Sequence, residues 1–463
     1  MGDMSMNQRP NILLIMSDEH DPSVTGCYGH PHIETPHLDR LASEGTTFDN
    51  AYTACPICVP ARMSFMTGQY VHQIGTYDNG SPLAGTIPTM GSYLEAAGYE
   101  TAVCGRTHFI GPERLHGFGK RLMDDAEKWK HWNMSAPSRT PDNRRGSNSH
   151  VTECGPGENW QIDYDSTATD LSERFLKSRA QYADRPFLLY TGFMNPHFPL
   201  LCPREYFDRY YPDRVILPQT RTEPCDTQHP SIQQLRYWLR NEEPLPDDIS
   251  TTATAAYYGL ISFTDDLIGR LLDIVDNSPL RDNTVVIYVS DHGEMGGHHG
   301  IWQKQCFYER AVRVPMIIRH PNAEGNQRIA AGANLIDILP TLLDLAEQDP
   351  APLPGSSLLP AISGHAFPDR PIFSEYHALG ALTGGFMIKK GDWKYIHYVG
   401  LPDQLFNVTN DPDETENRAD DPTCADILSD LRADLHNIVT PEEIDQRAKA
   451  NQKIKGINRA ASS

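Results

Sequence analysis

The sequence contains no long hydrophobic run. The run from Ile12 to Met16 is too short for a signal-peptide core or a membrane span, and no longer run follows it. Basic runs are also missing, since none exceeds two residues. We therefore expect a soluble, cytoplasmic protein that has no membrane partner and no arm for binding polyanions.

Positive charge is scarce as well. The 463 residues include 40 Lys and Arg against 61 Asp and Glu, which gives a formal net charge of −21. This balance argues against nucleic acid as a partner, and any anionic substrate must be held by a local cluster of cations. The nine cysteines are odd in number and scattered, which is typical of reduced thiols rather than of a disulfide framework.

Strand and helix signals alternate along most of the chain. Continuous apolar runs predict buried strands at residues 10–17, 99–104, 186–192, 284–290 and 314–319. Caps and apolar periodicity predict helices at residues 35–45, 86–98, 248–276 and 336–346. This alternation predicts an α/β fold with a large, mostly parallel sheet sandwiched by helices.

Acidic residues follow two of the predicted strands. Asp18 and Glu19 come after the first strand, and Asp291 comes after the fourth. Ligands of open α/β sheets collect at the carboxyl ends of the strands. Carboxylates brought together there are hard oxygen ligands, so the sequence predicts a divalent-cation site for Ca²⁺ or Mg²⁺.

The composition changes near residues 350–364, a linker rich in Pro, Gly and Ser. Beyond it, four short alternating segments at 371–375, 384–389, 393–398 and 403–407 predict a small antiparallel sheet. We therefore predict a catalytic domain over residues 1–364, a small α+β subdomain over 365–440 and a polar tail over 441–463. A polar insertion at residues 123–167 is expected to be functional or disordered.

The most distinctive stretch is CPICVPARMSFMTG, residues 55–68. Pro60 suits the first turn of a helix and Gly68 suits its end, so Cys58 is predicted at a helix N-terminus that favours an anion. Arg62 lies one turn further on the same face. Two interpretations are a pair of packed cysteines and a redox dithiol formed by Cys55 and Cys58, which would predict a small domain.

A third interpretation is that the stretch resembles the sulfatase signature C-x-P-x-R. In that family the cysteine, here Cys58, is oxidised after translation to formylglycine, whose hydrated aldehyde is the nucleophile. The runs Asp291-His-Gly, Trp302-Gln-Lys304 and YERAVRVP at 308–315 resemble the same family. The chain is therefore identified as a member of the sulfatases, which implies an alkaline phosphatase-like fold.

The resemblance implies a site residue by residue. The implied metal ligands are Asp18, Glu19, Cys58, Asp291 and His292, with Ca²⁺ expected and Mg²⁺ or Mn²⁺ as alternatives. Glu19 stands where the family has a second Asp, and His292 stands where many members have Asn.

The implied catalytic residues are Cys58, Arg62, His108, His197 and Lys304. Arg62 would hold the hydrated aldehyde, and His108 would be the base that collapses the intermediate. His197 and Lys304 would face the sulfate and the leaving oxygen. Arg106 would bind sulfate oxygens where most members have Lys.

The segment from Gly105 to Phe118 looks most like the choline-sulfatase branch, and Glu375-Tyr-His377 is also similar to it. A quaternary ammonium needs aromatic rings and a carboxylate, for which Trp129, Trp132 and Glu375 are candidates, unless they merely pack. The implied partners are a small-molecule sulfate ester and, during maturation, a formylglycine-generating enzyme. A homo-oligomer is an open alternative to a monomer.

Two other functions remain open on these motifs. A phosphonate monoester or phosphodiester hydrolase of the same superfamily shares the C-x-P-x-R cysteine and the metal ligands. A catalytically silent binding protein on the same fold is the alternative from another class.

Overall fold

The computed structural model describes residues 9–126, 141–182, 184–349 and 352–460. Its centre is an eight-stranded sheet. From one edge to the other, the strands are Gln327–Ile329, Thr46–Phe48, Met316–Arg319, Thr284–Ser290, Asn11–Asp18, Phe187–Pro196, Glu100–Gly105 and Lys120–Arg121. The last five run parallel to one another, whereas Met316–Arg319 is antiparallel to both neighbours. The predicted large, mostly parallel sheet is confirmed.

The central strand, Asn11–Asp18, is buried along its whole length, so both of its faces need a covering layer. Alternate side chains point to opposite faces. The layer that contacts Ile12 and Leu14 includes the helices Cys58–Thr67, Met90–Ala96 and Ile338–Leu345. The layer that contacts Leu13 and Ile15 includes the helices Pro36–Ser43, Trp160–Gln181 and Asp247–Asp276. Helices therefore cover both faces of the sheet, as predicted.

Shorter elements surround these layers. The further helices of the large domain are Val71–Ile74, Ser149–Thr152, Arg204–Phe207, Pro230–Leu239, Glu309–Val312 and Leu359–Ile362. Two small parallel ladders pair Ala51–Tyr52 with Ala333–Asn334, and Gly155–Pro156 with Leu201–Cys202.

Two helix starts differ from the prediction. Thr89, and not Thr86, caps the helix Met90–Ala96, because its side chain accepts a hydrogen bond from Gly91 N. The proline between the two threonines disfavours helical backbone at the residue before it. The helix Trp160–Gln181 begins inside the predicted polar insertion, where the Asn159 side chain accepts a hydrogen bond from Gln161 N.

The predicted C-terminal sheet is confirmed. Its antiparallel strands are Ile372–Tyr376, Gly385–Lys390, Trp393–Tyr398 and Gln404–Asn407, and the helices Ala425–Ile438 and Pro441–Ala460 follow it. A backbone hydrogen bond of 3.0 Å from Glu375 N to Ala54 O joins its first strand to the segment before Cys58. Among the described residues, no helix is both long and apolar enough to cross a bilayer.

Candidate active site

The functional candidates gather at the carboxyl ends of the central strands. Asp18 is the last residue of the central strand, and Asp291 directly follows the strand beside it. Arg106 and His197 lie just beyond the ends of the next two strands on the other side. Because these four neighbouring strands run in one direction, their ends bring the four side chains to one edge of the sheet.

Cys58 is the first residue of its helix, as the proline and glycine spacing predicts. Ile57 provides the extended N-cap, and Gly68 ends the helix with a left-handed φ of 62°. The buried Sγ of Cys58 lies 3.2 Å from His292 Nε2 and 3.7 Å from Asp18 Oδ1. The helix N-terminus thus presents the thiol directly to a carboxylate and an imidazole.

Asp18, Cys58, Asp291 and His292 form a buried group whose potential donor atoms lie within 4.8 Å of one another. His292 Nε2 lies 3.7 Å from Asp18 Oδ1 and 3.6 Å from Asp291 Oδ1. Ligands at right angles around Ca²⁺ or Mg²⁺ lie roughly 3–3.5 Å apart. The other ring nitrogen, Nδ1, lies 3.1 Å from Gly293 O, so it carries the proton and leaves the Nε2 lone pair facing the carboxylates. The donor set fits a divalent cation.

Arg62 fills all five of its N–H donors with groups other than Cys58. Its guanidinium donates to Asp18 Oδ2 at 3.0 Å and to Asp291 Oδ2 at 2.8 Å. The other acceptors are Ser17 O, Arg106 O and the Tyr190 hydroxyl. A guanidinium has five donors, so none remains for an anion at Cys58. Arg62 was predicted to hold the hydrated aldehyde, and these contacts correct that role. Its guanidinium instead positions the carboxylates of Asp18 and Asp291.

In both Asp18 and Asp291, one carboxylate oxygen contacts arginine and the other faces His292. Arg62 holds the Oδ2 atoms of both, and Arg106 Nε lies 2.6 Å from the Oδ2 of Asp18. The Oδ1 atoms face His292, and that of Asp291 also accepts hydrogen bonds from Glu19 N at 3.2 Å and His292 N at 2.9 Å. Burial alone would raise the pKa of Asp18, but Arg106 and Arg62 outweigh it and hold that pKa well below its usual range.

Glu19 belongs to a different group from the one predicted. A carboxylate oxygen of Glu19 lies within 4.8 Å of potential metal-donor atoms of Asp18 and His197, and Glu19 is not in the group that contains Cys58. Its Oε2 lies 2.8 Å from Lys304 Nζ and 3.4 Å from His197 Nε2. Burial raises the pKa of Glu19 well above its usual value, although Lys304 opposes the shift. The side chain thus joins the two residues that were predicted to face the sulfate.

The pKa of Lys304 is raised, whereas the pKa of His197 is lowered. Burial favours the neutral form of Lys304, yet Cys58 and Glu19 outweigh it and raise the pKa of the ammonium. Burial and the charge of Lys304 lower the pKa of His197 well below its usual value. His197 Nδ1 lies 2.7 Å from Phe198 O, so the neutral ring keeps its proton there and turns its Nε2 lone pair inward.

Glu294 is a buried acid that sequence reasoning missed. Its Oε1 accepts hydrogen bonds from Gly296 N at 2.8 Å and from Gln303 N at 2.6 Å. Burial raises the pKa of Glu294. A signal was present, because Glu294 extends the same Asp-His-Gly run that begins at Asp291.

Arg106 and His108 reach the site as predicted, in a strained loop. Arg106 Nη2 lies 3.2 Å from His108 Nδ1, and His108 has a φ of 60°, which is uncommon for a residue other than glycine. Asp125 accepts hydrogen bonds from the backbone N–H groups of Thr107 and Phe109, each at 3.2 Å. Asp125 thereby supports the backbone on both sides of His108.

Glu375, one of the three residues predicted to bind a quaternary ammonium, is not brought to this site. Trp129 and Trp132 lie outside the described residues. Glu375 is fully buried, and its carboxylate accepts hydrogen bonds from His72 N at 2.9 Å and lies 2.8 Å from His72 Nδ1 and 2.9 Å from His377 Nε2. Burial would raise its pKa, but the two histidines bring it to about 2. The contacts of Glu375 thus correct its predicted role, because its charge is already matched by histidines.

Cys55 does not form a redox pair with Cys58. None of the nine cysteines is in a disulfide, and Cys55 is completely buried. Burial raises the pKa of the Cys55 thiol well above its usual value, whereas a redox dithiol needs an accessible thiolate. The dithiol interpretation is therefore not supported.

Comparison with known proteins agrees with these motifs. A family model described as Sulfatase matches residues 10–348, and one described as N-sulphoglucosamine sulphohydrolase, C-terminal, matches residues 297–441. Over 428 residues the chain is 32% identical to a protein named choline-sulfatase from Rhizobium meliloti (strain 1021), which covers 89% of this chain and 83% of that protein.

Solved structures share the fold over nearly the whole chain. A 2-O GAG sulfatase is similar with a TM-score of 0.76 and 25% identity, covering 95% of this chain and 94% of that one. A phosphonate monoester hydrolase of Agrobacterium radiobacter is similar with a TM-score of 0.75 and 23% identity, covering 93% and 95%. At that identity, the second likeness shows the fold alone.

Proposed function

The chain belongs to the sulfatase family and is a sulfuric ester hydrolase, and we propose that it cleaves a small organic or aryl sulfate monoester with residue 58, matured to formylglycine, as the nucleophile. The observation that carries this proposal is the position of Cys58 Sγ at the helix N-terminus, 3.2 Å from His292 Nε2 and 3.7 Å from Asp18 Oδ1. A formylglycine-generating enzyme is the partner that maturation requires.

Formylglycine at position 58 supplies, as its hydrate, a nucleophilic oxygen for attack on sulfur. A divalent cation, with Ca²⁺ as the first candidate, supplies Lewis-acid stabilisation of negative charge. Asp18, Asp291 and His292 would hold this cation. The position of their Oδ1 and Nε2 atoms supports that assignment, because Arg62 occupies only the opposite oxygens of the two carboxylates.

The chain's own cations bind and orient the sulfate. Lys304 keeps its proton near neutral pH and can donate it toward a sulfate oxygen or the leaving oxygen. Arg106 adds a guanidinium on the side of Asp18, and His108 lies beside it. His197 stays neutral and presents a lone pair from the same side as Lys304. These groups are also nearly inaccessible to solvent, which strengthens their interactions with an anion.

We assign these roles to a catalytic domain over residues 1–364. The subdomain over 365–440 and the polar segment 441–463 contribute none of the residues named in the mechanism. The subdomain contacts the segment that precedes Cys58 through the hydrogen bond from Glu375 N to Ala54 O.

A panel of esters tests the proposed reaction. Protein matured with a formylglycine-generating enzyme is assayed on 4-nitrophenyl sulfate, a 4-nitrophenyl phosphonate monoester and a 4-nitrophenyl phosphodiester. We expect the highest kcat/KM on the sulfate. A higher value on either phosphorus ester would favour a phosphonate monoester or phosphodiester hydrolase, and no turnover of any ester would favour the silent binding protein.

Cys55→Ala is expected to keep turnover within about two-fold of wild type and to lose only about 1 kcal/mol of stability, because Cys55 packs and has no chemical role. The kcat on 4-nitrophenyl sulfate and a urea unfolding curve measure the two quantities. Loss of turnover while residue 58 is still matured would revive the dithiol interpretation.

The alcohol portion of the substrate is a separate question. A quaternary ammonium remains a prediction of the likeness to choline-sulfatases, and a relative with that name is 32% identical. Of the residues predicted to bind it, Glu375 is already paired with His72 and His377.

A further inference from the structure

Arg145 places a second cation beside the active site. Its Cζ lies 5.5 Å from the ring centroid of Phe198 and 5.4 Å from that of Trp238. Its backbone is fixed as well, because Arg145 N donates to Trp238 O at 3.0 Å and Arg145 O accepts a hydrogen bond from Arg240 Nε. Two aromatic rings and two backbone hydrogen bonds therefore hold this guanidinium in one place.

The guanidinium of Arg145 forms no ion pair in the part of the chain that the structure describes, and Glu19, which raises its pKa, is already paired with Lys304. The neighbouring Arg144, by contrast, is paired with Glu242. Arg145 is also partly buried, and burial lowers its pKa. An arginine remains charged in proteins, and a partly buried charge without a counter-ion is unfavourable. An anion from outside the protein would therefore stabilise this guanidinium.

Phe198 connects Arg145 to the catalytic groups. The ring of His197 stacks on Phe198 with centroids 4.0 Å apart, and Lys304 Nζ lies 5.4 Å from the Phe198 centroid. Arg145 and Lys304 therefore flank the same ring, and both act on the pKa of the buried His150. With Lys304 next to the leaving oxygen, an alcohol that extends over Phe198 would reach Arg145.

We propose that Arg145 determines specificity by binding a second anionic group, a carboxylate or a second sulfate, on the alcohol portion of the substrate. This inference rests on the proposed sulfatase function, since it concerns the alcohol portion of the ester, whose leaving oxygen lies next to Lys304. A guanidinium pairs with both groups through two parallel hydrogen bonds. A quaternary ammonium at this position would be repelled by Arg145 and Lys304 together.

The test compares kcat/KM of matured protein on four sulfate esters: 4-nitrophenyl sulfate, the same ring bearing a carboxylate, the same ring bearing a second sulfate, and choline sulfate. We expect wild-type protein to prefer at least one dianionic ester to 4-nitrophenyl sulfate by about 10-fold or more. Choline sulfate should be the poorest substrate. The carboxylate and disulfate arms distinguish the two kinds of anion.

Arg145→Gln should lower kcat/KM on the preferred dianionic ester by about 10- to 100-fold, with most of the change in KM, and on 4-nitrophenyl sulfate by much less. Arg145→Lys should restore part of the preference because it keeps the charge but not the planar fork. Arg145→Glu should reverse the order toward choline sulfate.

Arg144→Gln is the matched control. Arg144 stacks on Tyr237, with its Cζ 4.5 Å from the ring centroid, and pairs with Glu242 away from Phe198. This variant should retain the wild-type order of substrates. Thermal unfolding of all variants separates a loss of specificity from a loss of folding, and the wild-type panel tests the preference even if a variant does not fold.

Equal kcat/KM on the dianionic esters and on 4-nitrophenyl sulfate in the wild type, with ratios unchanged in Arg145→Gln, would overturn the inference and leave the sulfatase function intact. A preference for choline sulfate would also overturn it and would point to the neighbouring cavity lined by Glu158, Trp160 and Asp163, which also contacts Phe198. If matured wild-type protein hydrolysed no sulfate ester, both proposals would fail.

Discussion

Cys58→Ala is expected to lower kcat on every sulfate ester by at least about 10³-fold, because the variant has no side chain that can be oxidised to the nucleophilic aldehyde. The substitution removes a buried thiol that lies against His292 and Asp18 and leaves a smaller side chain that the helix accommodates. Folding should therefore be preserved. The kcat on 4-nitrophenyl sulfate, together with the unfolding midpoint, measures both expectations.

Mass spectrometry of the peptide that carries residue 58 provides the control. Active wild-type protein should contain the aldehyde at this position, and Cys55 in the same peptide should remain a thiol. An intact Cys58 thiol in fully active protein would contradict the proposed nucleophile. Full activity of Cys58→Ala would contradict it independently of the maturation state.

Asp18→Asn and Asp291→Asn are each expected to lose the divalent cation and nearly all turnover. Each substitution removes one of the two carboxylate charges whose Oδ1 atoms face His292. A hard cation binds a neutral amide more weakly than a carboxylate, and the remaining site is under-charged. Elemental analysis of the purified protein gives the metal content, and kcat gives the turnover.

The same substitutions should reduce stability by roughly 3–5 kcal/mol in the absence of metal, because they leave a buried arginine without one of its partners. Asp18 pairs with Arg62 and Arg106, and Asp291 pairs with Arg62. A denaturant unfolding curve measures this loss.

Asp337→Asn is the matched control for both aspartates. Asp337 is also fully buried and paired with an arginine, Arg370, but it lies outside the group around Cys58. The Asp337→Asn variant should be less stable than the wild type but should retain its metal content. Undiminished metal in Asp18→Asn and Asp291→Asn, or equal metal loss in all three variants, would argue against the assigned ligands.

The sequence by itself predicted the framework of the fold. The strand Thr284–Ser290 is a continuous apolar run bounded by polar residues, and such a run reports burial on both faces directly. The C-terminal strands were predicted from alternation and turn signals, whereas the structure buries nearly every residue of Ile372–Tyr376 and Gly385–Lys390, so both faces of these strands are covered. The helix start at Thr89 was missed, since a local cap signal at Thr86 was equally good before the chain's path was known.

The sequence also predicted that several of the candidate residues lie close together, as they do around Cys58. Strand ends converge on one edge in any parallel sheet, so the acids after the first and fourth predicted strands had to meet. The spacing of Cys58, Pro60 and Arg62 then placed the cysteine and the arginine on one helix. The role of Arg62 did not follow, because its acceptors come from segments far apart in the chain, such as Ser17, Arg106 and Tyr190.

Only the tertiary structure decided the partner of each charged group. Glu375 matches a substrate-binding pattern in the sequence but is hydrogen-bonded to His72, which lies about three hundred residues earlier. Arg145 lies in a polar stretch without any motif, yet packing places it beside Phe198 and, among the described residues, in no ion pair. Pairing at such separations depends on how the layers pack, and it leaves no periodicity or spacing that a reading of the chain could detect.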